Sequence, residues 1–378
     1  MVRRRVRVLF VRPALGQGGA DRVTITLLQH LDRSRFEPHL ALMRKEGEFV
    51  EDVPEDVPVY DLEALSLWSS WRPLTRLVRH QQPDVLMSTS GGMNMPAAVA
   101  DLLAPGRRRL VLSERNVVLH GERTPARLLQ LAAKRLLYRR ADSVAVISAG
   151  LGLDVQDKLR IDPPRTPVVY NPAVTAEVSR GAAQPVDHPW FHEDGKIVLG
   201  VGRLVPQKDF RTLIDAFALV RKRVPARLVI LGEGPLRADL AQHARDGGVD
   251  HLVALAGYDK NPFKYMARAD VFAFSSRHEG LGNALIQAMA CGTAVVSTDC
   301  PSGPNEIVTE GHDGYLVPVG DASALADRIV ELLTDDELRR RMGTNAAASA
   351  ERFSTDAVVA RYEAVLSGHD LPNPGPGT

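Results

Sequence analysis

Two hydrophobic periods alternate along this chain. Short continuous apolar runs recur, and between them lie longer stretches in which apolar residues return every three or four positions. In the first half the continuous runs are "VRVLFV" (6–11), "HLALM" (39–43), "VPVYDL" (57–62), "DVLMSTS" (84–90), "LVLSE" (110–114), "SVAVIS" (143–148) and "PVVYN" (167–171). In the second half they are "KIVLGVG" (196–202), "ARLVILG" (226–232), "LVALAG" (252–257), "VFAFSS" (271–276) and "TAVVSTD" (293–299). The helical stretches include "DRVTITLLQHL", "RPLTRLVRHQQ", "FRTLIDAFALVRKRV" and "LRADLAQHARDGG". Continuous apolar strands alternating with helices predict parallel sheets covered on both faces. Two such series predict two doubly wound α/β domains.

The break between the series is "AVTAEVSRGAAQPVDHPWFHEDG" (173–195), rich in small residues, Pro and charge and without periodicity. It reads as a linker. The predicted organisation is therefore a first Rossmann-like domain over 1–172, the linker 173–195, and a second Rossmann-like domain over 196–353. A last helix over 354–367 is expected to pack back on the first domain, and the tail 368–378 to be disordered. The length of 378 residues suits about two domains.

Charge changes this picture in one respect. Residues 1–190 hold 27 Lys/Arg against 21 Asp/Glu, and residues 191–378 hold 20 against 25, so a basic half precedes an acidic one. Cys291 and Cys300 are the only cysteines, too few for a disulfide framework or a cysteine-rich zinc site. A cytoplasmic setting is expected, and no apolar run approaches the roughly 18 residues of a membrane span. The basic, then apolar start reads as a first strand.

Doubly wound sheets bind ligands beyond the carboxyl ends of their strands, so the chemistry is sought in those loops. The loop after "VFAFSS" reads "RHEGLGN" and runs into "ALIQAMA". Asn283 is placed to cap that helix, whose N-terminus suits a phosphate, while Gly280 and Gly282 allow close backbone approach. Glu279 suits sugar hydroxyls better than phosphate, or is a solvated loop acid. Gln287 lies eight residues on, about 12 Å along a helix, and an amide in so apolar a segment must find a partner. In "GVGRLVPQKDF", Arg203 and Lys208 follow a strand and suit a diphosphate. In "LGQGGADR", Gly16, Gly18 and Gly19 either seat a ligand against the backbone or form a tight turn. In "TDCPSGPNEI", Ser302, Gly303 and Asn305 either offer donors to sugar hydroxyls or belong to a Pro-fixed turn.

Together, "GVGRLVPQKDF", "LVILGEGPLRADL", "SSRHEGLGNALIQAMACGTAVVSTD" and "HDGYLVPVGD" resemble the retaining glycosyltransferases of family 4, and the resemblance extends over nearly the whole chain. It implies the GT-B fold: two Rossmann-like domains facing a cleft, with a nucleotide-sugar on the second and an acceptor on the first. It implies no cofactor and no metal. Arg203 and Lys208 would hold the diphosphate, and Glu279, the first acid of the family's E-x7-E motif, would face the donor sugar. Gly280, Leu281, Gly282 and Asn283, with Gly16, Gly18 and Gly19, would line the donor. The second acid, which holds the ribose, is here Gln287. An amide has one acceptor oxygen and one NH2 donor, so altered ribose binding is expected.

A second departure is Arg115, where many relatives have a histidine. Glu114, Arg115 and Asn116 are the expected acceptor-side residues, and His120 is not taken as catalytic. The stretch "TPARLLQLAAKRLLYRRADS" is basic and amphipathic, and fits either an anionic membrane surface or a helix packing its leucines inward. The expected partners are a nucleotide-diphosphate sugar, with UDP the commoner base, and a glycan, lipid-linked or small acceptor. Contact with the inner face of the membrane is also expected, and nucleic acid is not. The rival readings are a non-catalytic nucleotide-sugar-binding protein and a nucleotide-sugar epimerase.

Overall fold

The computed structural model describes residues 4–16, 19–115, 124–369 and 371, with residues 19–20 and 126–127 described by backbone only. Gly18, Asn116, His120 and most of the tail lie outside them. The described residues divide into two units, one built from those up to 172 and from 355 on, the other from 173–354.

Unit 1 contains β1 (Val6–Arg12), α1 (Gly19–His30), β2 (Phe36–Leu42), β3 (Val59–Asp61), α2 (Trp71–Gln81), β4 (Val85–Ser88) and α3 (Gly91–Leu103). It continues with β5 (Arg109–Glu114), α4 (Pro125–Tyr138), β6 (Ser143–Val146) and α5 (Ala149–Leu159). The six strands are parallel in the order β3-β2-β1-β4-β5-β6. The reversal falls between β1 and β4. The expected seventh strand, "PVVYN", forms a single bridge from Val168 to Val146. Proline at 167 and 172 supplies no N–H at either end of that run, so no ladder extends.

Unit 2 contains α6 (Ala176–Ala182), β7 (Lys196–Val201), α7 (Phe210–Arg221), β8 (Ala226–Leu231), α8 (Arg237–Asp246), β9 (Val253–Gly257), α9 (Phe263–Met266) and β10 (Val271–Phe274). Then come α10 (Asn283–Ala290), β11 (Ala294–Thr298), α11 (Pro304–Ile307), β12 (Tyr315–Val317), α12 (Ala322–Thr334) and α13 (Asp336–Ala350). Its sheet order is β12-β11-β10-β7-β8-β9, all parallel, with the reversal between β10 and β7. In α12, Leu325, Ile329 and Leu332 recur at helical spacing and are fully buried against α7, whose Leu213 and Phe217 are likewise buried. Each such side chain contributes roughly 1.5–3 kcal/mol.

The stretch 173–195, read from sequence as a linker, folds within unit 2. Its helix α6 packs on α9, and Asn261 Nδ2 donates to Gly181 O at 3.0 Å. A side chain at Gly181 would collide with Asn261 and Phe263, which is why a small residue stands there. The last helix, α14 (Thr355–Ser367), belongs to unit 1, where Glu363 accepts from Asp32 N and pairs with Arg35.

Candidate donor site at the switch point of unit 2

In an open parallel sheet, the loops leaving two strands at the order reversal part and leave a crevice between them. In unit 2 those are the loops after β7 and β10. The first carries Arg203 and Lys208, and the second carries Glu279. Lys208 Nζ lies 2.5 Å from Glu279 Oε1, with both side chains largely buried. Ser276 Oγ donates to the same Oε1 at 2.7 Å. Among the described residues Glu279 Oε2 has no hydrogen-bond partner, so one carboxylate oxygen is fixed and the other is open to a hydroxyl.

Several ties hold the two loops together. Gln207 Nε2 donates to His278 O at 2.9 Å, and Arg277 N donates to Gln207 O at 2.8 Å. Ser275 Oγ donates to Lys208 O at 2.8 Å. Arg277 Nε lies 2.9 Å from Asp209 Oδ2, which also accepts from Thr212 Oγ1. Asp209 is buried and left-handed, at φ 46, a conformation that L-residues other than Gly, Asn and Asp seldom adopt. The Lys208 ammonium stands 5.2 Å from the Phe274 ring centroid. Arg203 is exposed, and its guanidinium has no partner among the described residues.

Glycines let this floor close up. A Cβ on Gly232 would lie 1.8 Å from Gly202 O, and one on Gly303 would lie 2.0 Å from Leu281 O. The loop of Ser302 (φ 66) and Gly303 (φ 104) therefore seats directly on the Glu279–Asn283 loop. Asn305, in α11, is exposed. Thr298 Oγ1 donates to Ser276 O at 2.6 Å, tying the end of β11 to the same loop. Cys300 is buried nearby, and burial, together with the Glu279 carboxylate, pushes its thiol up to about 12.

Asn283 does not cap α10 as expected. Gly282, at φ 107, takes the N-cap position with no side-chain cap bond, and Asn283 is the first helical residue. Gly280 is half-buried and Leu281 is buried beneath the loop. Gln287 is half-buried, and its amide has no hydrogen-bond partner among the described residues. No backbone group among the described residues satisfies it.

In unit 1, Glu114 and Arg115 turn inward, and Asn116 lies outside the described residues. Glu114 is buried, accepting from Tyr138 OH at 2.7 Å and lying 3.2 Å from Lys134 Nζ. Arg115 is buried, with Nη1 donating to Asn171 at 2.8 Å and Nη2 to Tyr362 OH at 3.2 Å. It braces α14 from within the unit. Gly16 ends the described part of the glycine loop and Gly19 opens α1. Asp21 stands beside Gly16 and pairs with the buried Arg12. Burial lowers the Arg12 guanidinium to about 10 against the pull of Asp21. A turn at Gly47 (φ 116) braces Leu15 and Gly16, and nothing in the sequence singled it out.

Two parallel sheets, one with a carboxylate and cations at its switch point, define a Rossmann-type two-unit class. The family model for glycosyl transferases group 1 matches residues 187–349, and that for glycosyltransferase family 4 matches residues 17–177. An N-acetylgalactosamine-N,N'-diacetylbacillosaminyl-diphospho-undecaprenol 4-alpha-N-acetylgalactosaminyltransferase of Campylobacter jejuni is 32% identical over 352 residues, covering 90% of this chain and 93% of that protein. The lipopolysaccharide core biosynthesis glycosyltransferase LpsE of Rhizobium meliloti is 29% identical, covering 93% and 96%. The crystal structure of HepE of Anabaena in complex with UDP superposes with a TM-score of 0.79 at 22% identity, covering 96% of this chain and all of that one. The chain belongs to the group 1, family 4 glycosyltransferases, with the GT-B fold, and is a sugar-transferring enzyme.

Proposed function

We propose that this enzyme moves a sugar, with retention, from a UDP-sugar to a glycan or lipid-linked acceptor in cell-surface polysaccharide synthesis. Unit 2 holds the donor and unit 1 the acceptor. The observation that carries this reading is the Lys208–Glu279 pair at the switch point, with the unpartnered Arg203 on the same loop as Lys208. Arg203 and Lys208 take the diphosphate, whose charge grows as the sugar departs. Glu279 Oε2 accepts from a sugar hydroxyl, and the Gln287 amide bonds the ribose. The loops of Gly280–Asn283 and of Gly16, Gly18 and Gly19 line the donor. As the bond from sugar to diphosphate breaks, the acceptor oxygen bonds to the same face, and its proton passes to the departing phosphate oxygen.

The named relatives support the substrate classes: one acts on a diphospho-undecaprenol glycan and another in lipopolysaccharide core synthesis. The UDP complex of the Anabaena protein supports the base. In this reading the protein works in the cytoplasm and touches the inner face of the membrane through α4. That helix exposes Leu128, Leu129 and Leu136 beside Arg139 and Arg140. Among the described residues no helix is long and apolar enough to cross a membrane.

The test is a thermal-shift panel of UDP-, GDP- and ADP-sugars, followed by proton NMR of the sugar released from the best α-linked donor. A UDP-sugar should raise the melting temperature most, and the first product should be the α anomer. No shift with any donor, or a β product, would overturn the reading.

A further inference from the structure

None of the roles given to Arg203, Lys208, Glu279 and Gln287 falls on the loop joining β11 to α11, yet that loop is fastened to the donor crevice on both sides of Ser302. Before Ser302, the buried Cys300 lies near enough to Glu279 and Lys208 for both charges to act on its thiol. After it, a Cβ on Gly303 would lie 2.0 Å from Leu281 O, two residues beyond Glu279. A Cβ on Gly282 would lie 3.5 Å from Ile307 Cδ1, so α11 packs on the same loop. Arg352 holds the end of α11, with Nη2 donating to Glu306 O at 2.9 Å and to Ile307 O at 2.7 Å. Ser302 therefore sits on a braced loop at the edge of the crevice.

Ser302 is also the residue of this loop that does not suit its backbone. Its φ is 66, in the left-handed region, where a glycine escapes the Cβ clash and a serine does not. Gly303, at φ 104, and Gly282, at φ 107, meet the same demand with glycine. A side chain held in such a conformation beside a reacting centre points to a use for it. Ser302 is half-buried, and its hydroxyl has no hydrogen-bond partner among the described residues, so the hydroxyl does not stabilise the turn. Asn305, three residues on, is exposed. The chemistry complements that of Glu279. A carboxylate only accepts, so Glu279 Oε2 offers nothing to a sugar oxygen that needs a donor, whereas a serine hydroxyl donates. One acceptor and one donor on adjoining loops can read how neighbouring oxygens are arranged on a sugar ring. A site built to hydrogen-bond a substituent rejects ligands that lack or misplace it.

We propose that Ser302 donates a hydrogen bond to a ring substituent of the donor sugar, beside the hydroxyl taken by Glu279, and sets which sugar the enzyme prefers. The proposal rests on the reading of unit 2 as the donor domain. The contact is to the sugar alone, so UDP without a sugar does not feel it.

Calorimetry on the full chain measures the affinities of UDP, UDP-glucose, UDP-galactose, UDP-N-acetylglucosamine and UDP-N-acetylgalactosamine for wild type, Ser302→Gly and Ser302→Asn. Glycine adopts this φ without strain and removes only the hydroxyl, while asparagine tolerates the same backbone region and keeps a donor. The UDP-sugar that wild type binds most tightly is the reference. Ser302→Gly should bind UDP within about two-fold of wild type, which verifies the fold, and bind the reference roughly five-fold more weakly. The differences among the sugars should shrink, and Ser302→Asn should recover part of the loss. Unchanged affinity of Ser302→Gly for the reference overturns the proposal. So do equal losses for UDP and every UDP-sugar, which is what a purely structural loop would give. A loss that Ser302→Asn does not reduce assigns the effect to loop conformation and overturns it too. Wild type that binds UDP but holds all the sugars equally well removes the proposal and leaves the donor reading standing. Wild type that binds neither UDP nor any UDP-sugar removes both.

Discussion

Gln287 was visible in the sequence because an amide inside "ALIQAMA" breaks an apolar pattern, and the structure leaves that amide half-exposed and without a partner. If it holds the ribose, Gln287→Leu leaves a hydroxyl unpaired and should weaken UDP binding by roughly 1–3 kcal/mol. Gln287→Glu should preserve or tighten it. A 2′-deoxyribose donor analogue separates the readings in a binding titration. Wild type should lose affinity for it and Gln287→Leu little more, whereas equal losses in both would mean the amide does not touch that hydroxyl. Arg277 is the opposite case. Its bond to the buried Asp209 spans 68 residues and depends on β7 pairing with β10, strands not consecutive in the chain. No local pattern could announce it. Arg277→Ala leaves the Asp209 carboxylate with Thr212 alone, at a cost of about 1–3 kcal/mol. Because the pair ties the Lys208 loop to the Glu279 loop, kcat should fall more than KM rises, and Arg277→Lys should recover part of it. A change in KM alone would show that Arg277 does not align those loops.

Most strands were legible as continuous apolar runs, because strands buried on both faces carry little else. The exceptions have physical reasons. "PVVYN" has strand composition but is enclosed by prolines, and the stretch 173–195 looks structureless because its helix is short and satisfied by tertiary contact with α9. Why Gly303 must be glycine shows only in three dimensions, where a Cβ on it would meet Leu281 O. Gly303→Ala adds a Cβ in that contact at positive φ, so the loop must shift and drag Leu281 and Glu279 with it. The expected result is donor turnover reduced at least ten-fold in a protein that still folds, read by kinetics and circular dichroism. Normal turnover would show that the loop does not position the site. Cys300 reports on the packing of the same region. Its thiol stays protonated in the native state up to about 12, against 9.0 in the unfolded chain. Above pH 9 the unfolded state therefore holds fewer protons, and stability falls as pH rises, by up to about 1.4 kcal/mol per pH unit. Urea midpoints measured from about pH 8 to about pH 10 should fall more steeply in wild type than in Cys300→Ala. Parallel slopes would place the thiol in a more polar setting.

The two sheets follow the same scheme, and in unit 2 the strand order alone marks where to look. The chain leaves β7 and β10 on either side of the reversal, bringing Lys208 to Glu279 across 71 residues. Sequence reasoning reached both residues by looking after strands, but could not show that one Glu279 oxygen is fixed while the other is open. It read Arg115 as following a strand, but could not show the contacts with Asn171 and Tyr362 that bury it. The central claim is that unit 2 holds a nucleotide diphosphate by its own cations, without a metal. Calorimetric titration of UDP in the presence of EDTA tests it most directly, on wild type, Arg203→Ala and Lys208→Ala. Wild type should bind, and each substitution should weaken binding at least ten-fold, about 1.4 kcal/mol. UDP binding that needs Mg2+, or that is unchanged in both variants, would contradict the account.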